Sequence, residues 1–476
     1  MSSAHDDRAR QLMTDPITFF DQSITKMHLI PRAELETLQR TAMAIRFKEH
    51  YAGIEILRNL ADQLRIAAVT EFNDAVPLLY PHTIFKSYPS SLLDNGRFDL
   101  LNRWLNKLTT HDIASVDVAG CDSIEAWINR MDLMTPLSII VSSGTTGTIS
   151  LIPRDKVSAE YGMRLWRLFL FQRFGTEPTG AELHPVVDII WPRFATGKLG
   201  SLRLGGYMKT EFTGGDESRF HPLYSASLDT DLLFLSSKLK AAAARGELDR
   251  LKIDPKLLAR KQEFEAMQAR APQEMAAFLD KCAHELKEKR ILMIGTFVQL
   301  YDMAAAGLAQ GMRKVFAADS AIMMGGGLKG SNLPANWLDQ VKAFLGVERV
   351  QQIYGMSEVG VANWACDHGH YHVQPWCIPF VLDPDTNKPL PREGVQTGRA
   401  AFLDLMNESH WGGSISGDEV TIDWSTPCPC GLSSVHIHHD IMRYSDKQGV
   451  QDDRITCAAT QQVVDEVIDF MRGFES

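Results

Sequence analysis

Three short segments of this sequence concentrate the residue types that handle a polyphosphate. The first is Ser142, Ser143, Gly144, Thr145, Thr146 and Gly147, directly after the apolar run 137–141. A run of that kind reads as a buried strand. After it, glycines let backbone N–H groups approach an anion, and the interleaved hydroxyls add donors to the cradle. The second segment, residues 352–358, sets the aromatic Tyr354, then Gly355 and Met356, beside the hydroxyl of Ser357 and the carboxylate of Glu358. The third is Ser416, Gly417 and Asp418, ahead of an alternating run at 419–424. Glu358 offers hard oxygens suited to Mg²⁺ bridging phosphates. Tyr354 can stack on adenine, Ser357 can hydrogen-bond the α-phosphate or a substrate carboxylate, and Asp418 can accept from both ribose hydroxyls. Any one of these residues alone is more often a salt-bridged or loop-capping group. Their co-occurrence in this order points to ATP.

Hydroxyl-glycine loop, Tyr354 to Glu358, then Ser416 to Asp418, in that order, resembles the adenylate-forming superfamily of acyl-CoA ligases, luciferases and carrier-protein adenylation domains. The resemblance spans about residues 137–443. Gly326 and Gly327 fit the family's adenine-side loop, and Arg443 its hinge. The implied fold is α/β, a large adenylate-forming N-terminal-type domain with mixed sheets and crossover helices. The implied reaction is attack of a carboxylic acid on the α-phosphate of ATP, giving acyl-AMP and pyrophosphate, then transfer to a thiol or amine acceptor. Ser357 and Glu358 would be catalytic, with Mg²⁺ on Glu358. Ser142 to Gly147, Gly326, Gly327, Tyr354, Gly355, Met356, Asp418 and Arg443 would bind the nucleotide.

The sequence also departs from that family. Thr148, Ile149 and Ser150 stand where relatives often carry a proline-lysine pair, which leaves Lys156 as a substitute. The hinge at 441–446 lacks its glycine. Little sequence follows Arg443, and none of it matches the catalytic-lysine motif, so the mobile C-terminal domain is expected to be reduced or absent. Pro81, His82, Thr83, Ile84, Phe85, Lys86 and Ser87 resemble a segment of the acyl-protein synthetases of bacterial bioluminescence. Cys428, Pro429, Cys430 and Gly431 resemble phenylacetate-CoA ligases. The short tail favours the acyl-protein synthetase branch, which implies Cys457 as an acyl-carrying thiol and a partner protein as acceptor. A nucleotide-binding subunit without catalysis is the reading from a different class.

Cys366, His372, Cys428 and Cys430 make a three-cysteine, one-histidine set, a standard structural zinc combination. The single residue between Cys428 and Cys430 is tighter than the usual two. His372 is preferred over His368 and His370 because Val373 begins an apolar segment. His436, His438 and His439 read as surface or hinge residues, and Cys121 and Cys282 as small core residues.

These groups need a scaffold. Residues 1–130 read as a helical N-terminal part, 131–440 as the ATP-binding core and 441–476 as a truncated C-terminal segment. Ile54, Leu57, Leu60, Ala61 and Leu64 form one helical stripe. A long amphipathic helix is expected at 157–174, and a glycine-rich mobile or ligand-adjacent loop at 196–207. Short apolar runs at 291–297, 321–324 and 350–353, spaced by helices, imply a largely parallel sheet. Val463, Val464, Val467, Ile468 and Met471 lie on one face of a tail helix. The 476 residues carry 45% hydrophobic and 23% charged side chains, ordinary for a globular chain. A net charge of -10 argues against a nucleic-acid partner. No apolar run approaches the ~20 residues of a membrane span, and no signal pattern opens the chain, so the cytoplasm is the expected site.

Overall fold

The computed structural model describes residues 2–142, 147–174, 185–326, 333–444 and 461–472. The first 134 residues are mainly helical. Arg32–Gly53 is the longest helix there and turns Leu38, Ala42, Met43 and Phe47 inward. Glu55–Leu64 follows and buries Leu57 and Ala61. Leu64, expected in that stripe, is 43% exposed, because Arg65 at φ 57° ends the helix in a left-handed cap.

Strands begin with β1 (Tyr80–Pro81), followed by β2 (Leu137–Ser142) and β3 (Ser150–Asp155). Next come β4 (Asp188–Gly197), β5 (Phe220–Leu228), β6 (Ile291–Thr296), β7 (Ala321–Gly325), β8 (Gln351–Met356) and β9 (Val359–Trp364). The last six are β10 (Tyr371–His372), β11 (Cys377–Leu382), β12 (Val395–Asp404), β13 (Gly413–Asp423), β14 (His436–Ile437) and β15 (Met442–Arg443).

One sheet has the order β5-β4-β6-β7-β8-β9. Its pairings are parallel except β8 with β9. Helices Gly200–Phe212, Thr230–Arg245, Lys261–His284, Phe297–Ala309 and Trp337–Leu345 make the crossovers. Strands covered on both faces read as continuous apolar runs, which is why β6 and β7 were legible in the sequence. A second sheet runs β10-β14-β13-β12-β11, with β1 and β15 also pairing with β13. The strand before the phosphate loop, β2, belongs to neither sheet. It forms an antiparallel hairpin with β3, register Leu137 to Asp155 through Ser142 to Ser150.

Lys156–Phe174 forms the long helix expected behind that hairpin. The tail forms the helix Gln461–Arg472, and Val464, Val467, Ile468 and Met471 are each at most 1% exposed. It packs on helices Thr230–Arg245 and Lys261–His284. Among the described residues no helix is long and apolar enough to cross a membrane.

The region expected as a glycine-rich loop, 196–207, is instead the end of β4 and the first two turns of Gly200–Phe212. Gly205 serves packing, not mobility. A Cβ there would lie 2.5 Å from the ring of Trp191, which is fully buried. Gly206 has nothing within 4 Å of its Cβ position. Gly205→Ala should therefore lose stability, since overpacking costs about 1–3 kcal/mol against the ~1 kcal/mol gained in helix propensity. Gly206→Ala should gain up to about 1 kcal/mol. Urea denaturation of both variants checks this, and equal shifts in the same direction would refute it.

Candidate active site and metal centre

The turn between β8 and β9 carries Ser357 and Glu358. Its pairing shifts register between Gly355 and Met356, so Gly355 faces Ala362 while Met356 faces Val359. A bulge of this kind re-aims the side chains that follow it. Glu358 is 8% exposed. Burial raises its carboxyl above the usual carboxylate range, and nearby His82, Arg443 and Lys86 pull it down. His82 and Lys86 come from the segment that sequence comparison valued only as a branch signature. It arrives here because β1 pairs in parallel with β13, Tyr80 against Ser414, and the His82 N–H donates to the Ile415 carbonyl at 3.2 Å.

Asp418, on β13, is 9% exposed and accepts from the Tyr354 hydroxyl at 3.0 Å. Its other oxygen lies 3.4 Å from Arg443 Nε. Strand pairing sets that contact, because β15 places Arg443 directly opposite Asp418. Tyr354 packs near Tyr371 and Phe402, with ring centroids 5.9 and 6.1 Å away. Burial, with the Asp418 charge beside it, holds the Tyr354 hydroxyl protonated as a donor.

The residues on either side of the candidate phosphate loop are held in place. Ser142 closes the β2–β3 hairpin against Ser150. Gly147 has φ 87°, and its Cβ position lies 3.2 Å from Ala241. Ser237 Oγ donates to the Thr148 carbonyl at 3.0 Å, and Tyr88 donates to Ile149 at 2.6 Å. Gly326, φ 86°, follows β7. Ser143, Gly144, Thr145, Thr146, Gly327 and Cys457 lie outside the described residues. Lys156 does not substitute for a loop lysine: its ammonium is bound to the Asp132 and Thr135 carbonyls at 2.6 and 2.9 Å.

Sequence reasoning missed Arg154 and Asp404. Arg154 donates to the Ser357 carbonyl at 2.8 Å. Asp404 accepts from the Gly360 and Met406 amides at 3.0 and 3.1 Å. Burial raises the Asp404 carboxyl, and Arg154 is the first influence that opposes this. The pair brackets the Ser357–Glu358 turn from behind. The available signal was a charge near the end of each of two apolar strands, SLIPRD and AFLD.

The cysteine-histidine set forms a second centre. Cys366, His372, Cys428 and Cys430 place one ligand atom each within 4.8 Å of one another. Cys366 Sγ is 3.6 Å from Cys428 Sγ, and Cys430 Sγ is 3.3 Å from His372 Nε2. A zinc tetrahedron with bonds of about 2.3 Å to sulfur and 2.0 Å to nitrogen has edges of about 3.4–3.8 Å. Two tight turns present the thiols. Gly369 (φ 76°) donates to the Cys366 carbonyl and Gly431 (φ 92°) to that of Cys428, each at 2.9 Å. His372 Nδ1 lies 2.8 Å from Ser434 Oγ, which orients Nε2 toward the thiols. Burial pushes the His372 imidazole down to about 3 and the Cys428 thiol up to about 12. His436 is not a surface residue: β14 inserts it between His372 on β10 and Asp423 on β13, and it is 2% exposed.

No protein-family model matches the sequence, and no curated protein matches it. Solved structures do match. A 2-hydroxyisobutyryl-CoA ligase, in an open conformation with 2-HIB-AMP and CoA, has TM-score 0.52 at 12% identity over 88% of this chain and 71% of its own. The same ligase in the postadenylation state, with R3-HIB-AMP, gives TM-score 0.51 at 11% identity over 88% and 70%. With 2-HIB-AMP in that state it gives TM-score 0.50 at 10% identity over the same shares. The chain has the fold of the adenylate-forming ligases.

Arg154→Met tests the support behind the turn. It removes the hydrogen bond to the Ser357 carbonyl and leaves Arg46 as the remaining charge that opposes burial of Asp404, so stability should fall by about 1–3 kcal/mol. The double variant Arg154→Met with Asp404→Asn should recover part of that loss in chemical denaturation. A single variant as stable as the wild type would show that the pair does not hold the turn.

Proposed function

We propose that this protein activates a carboxylic acid with ATP, forming acyl-AMP and pyrophosphate, and passes the acyl group to a thiol. The observation that carries this reading is the convergence of Glu358 with the Tyr354–Asp418–Arg443 cluster at the β8–β9 turn and the middle of β13. In the reaction a carboxylate oxygen bonds to the α-phosphorus, and the bond from that phosphorus to the pyrophosphate oxygen breaks. Both partners are anions, so the site must offset negative charge. Glu358 fits Mg²⁺, because its buried carboxyl is raised and an adjacent divalent cation would reverse that cost. The ion, when bound, supplies charge neutralisation at the phosphates. Asp418 spends one contact per oxygen on Tyr354 and Arg443, and a carboxylate has about four acceptor directions, so both oxygens can still accept ribose hydroxyls. Ser357 offers its hydroxyl to the α-phosphate or the acid.

The ligase structures with CoA support a thiol acceptor. A protein thiol, with Cys457 as acyl carrier, is the second reading; it rests on the resemblance of residues 81–87 to acyl-protein synthetases. Intact-mass analysis after incubation with ATP and a panel of acids separates the two: a hydroxylamine-labile adduct absent in Cys457→Ser supports the carrier.

Glu358→Gln should reduce acid-dependent ATP–pyrophosphate exchange about 100-fold or more while folding is kept. Its stability should also differ with pH. The folded carboxyl lies above the unfolded value, so wild-type stability falls as pH rises from the ordinary value of 4.5 toward the folded one. The glutamine variant should lack that fall in thermal melts. Exchange near the wild-type rate would remove Glu358 from the mechanism.

We also propose that Cys366, His372, Cys428 and Cys430 hold one structural Zn²⁺. Three thiols crowded at these distances are best satisfied as thiolates on a cation. Protein dialysed against a weak chelator should retain about one zinc per chain. Cys428→Ser should lose it and melt at a lower temperature, because such a site contributes directly to folding. Metal-free protein of undiminished stability would reject the centre.

A further inference from the structure

Histidines on the small β10–β14–β13 face outnumber what one zinc ion can use. The antiparallel pairs His372 with His436 and His436 with Asp423 put these side chains on one side of the sheet, and His438 follows on that side two residues later. With His372 placed among the thiols, Asp423, His436 and His438 remain, and their ligand atoms lie within 4.8 Å of one another.

Two features separate this trio from a chance surface cluster. His436 is 2% exposed, and among the described residues its Nδ1 makes no hydrogen bond of ordinary geometry, although the Ser434 backbone and the Asp423 carboxylate both bear on the ring. A buried ring nitrogen without such a bond is costly unless something else meets it. Asp423 is 7% exposed and already oriented, because its Oδ1 accepts the Ser425 and Thr426 amides at 2.9 Å each. His438 is half-buried, and its amide donates to the Thr421 carbonyl at 2.9 Å. The trio is therefore rigid on its inner side and reaches solvent through His438.

We propose that Asp423, His436 and His438 form a second divalent-cation site that takes Zn²⁺ through two imidazoles and one carboxylate. Three protein ligands leave at least one position for water, so this ion exchanges with solvent, unlike one enclosed by three thiolates and an imidazole. His370 stands between the two centres. Its ring stacks 4.6 Å from His436 and 5.0 Å from His438, and its Nδ1 lies 3.3 Å from Cys428 Sγ. The site rests on side chains outside the proposed ATP site and does not depend on the adenylation reading.

Cobalt titration of the purified protein, still holding its tightly bound metal, tests the proposal. Equilibrium dialysis should find one further Co²⁺ per chain, displaced by Zn²⁺. Its visible spectrum should show d–d bands without sulfur-to-metal charge transfer, since no thiolate binds it. His438→Ala should keep its melting temperature and weaken that second ion more than the about 10–100-fold that groups behind a metal ligand usually cost. Asp423→Asn, which keeps the amide-accepting oxygen, should also weaken it. Absence of a second equivalent, a charge-transfer band on it, or unchanged affinity in both variants would overturn the site. Each of those outcomes leaves the tightly bound equivalent measurable, so failure here is distinct from failure of the thiolate centre.

Discussion

The register of β13 is the constraint on which the rest of the site depends. Residues 414, 416, 418, 420 and 422 all turn to the buried face of this strand, Val420 and Ile422 at 0% exposure and Asp418 at 9%. Side chains alternate with a period of two, so a slip of one residue would turn Asp418 outward and bring Glu419 in. Four neighbours take their places from the same strand. β1 delivers His82, β12 ends in Asp404, β14 carries His436, and β15 sets Arg443 opposite Asp418. An acid on the inward side of this strand, beside Ser414 and Ser416, is itself a device against slippage, since its hydroxyl and guanidinium partners exist in one alignment only.

Charge in the site is drawn from segments remote in sequence. The phosphate loop continues into Thr148 and Ile149 without a lysine, and Lys156 is tied to two carbonyls. The basic groups that bear on Glu358 are His82, Arg443 and Lys86, from before and after the core. A binding region for a triphosphate and a carboxylate needs positive charge whichever loop provides it. In the proposed site the basic groups beside Glu358 are brought there by strand pairing, β1 delivering His82 and β15 Arg443.

This explains what the sequence disclosed and what it withheld. Residues 142–147, 354–358 and 416–418 stood out as candidates because each packs several chemical groups into adjacent positions, and of these the structure brings Tyr354 and Asp418 into contact. The parallel strands at 291–296 and 321–325 were legible because burial on both faces leaves unbroken apolar runs. Arg154 and Asp404 were not, because one charge at the end of an apolar strand looks the same whether it braces a turn or meets solvent. The glycines at 196–207 misled as to conformation, though Gly200 does lie beside the candidate site, its Cβ position 3.5 Å from Ser357 Oγ. Gly205 answers to the ring of Trp191, a tertiary neighbour that local composition does not reveal. His436 was misplaced because β14 is two residues long and owes its existence to strands that precede it by many residues.

The cysteine-histidine cluster is linked to the proposed nucleotide site by one short path. β8 and β9 form a hairpin whose turn carries Ser357 and Glu358, and its open end lies beside Cys366. The Ala365 amide extends the hairpin, donating to the Gln352 carbonyl at 2.9 Å, and β10 of the second sheet fastens that end: Tyr371 bridges to Ala365, and its hydroxyl donates to Gln352 Oε1 at 2.8 Å. Cys366 and His372 flank Tyr371 at this junction, while Cys428 and Cys430 lie just beyond the end of β13. A cation shared by those four side chains would cross-link the base of the hairpin bearing Glu358 to the strand bearing Asp418. The two acids of the proposed nucleotide site sit on different sheets, and their separation must be held against thermal motion for one substrate to meet both. Ordinary packing secures the middle of each sheet. At the junction, where β10 and β14 are two residues each, ladder hydrogen bonds are few, and a bonded metal is a physically economical way to supply the missing rigidity.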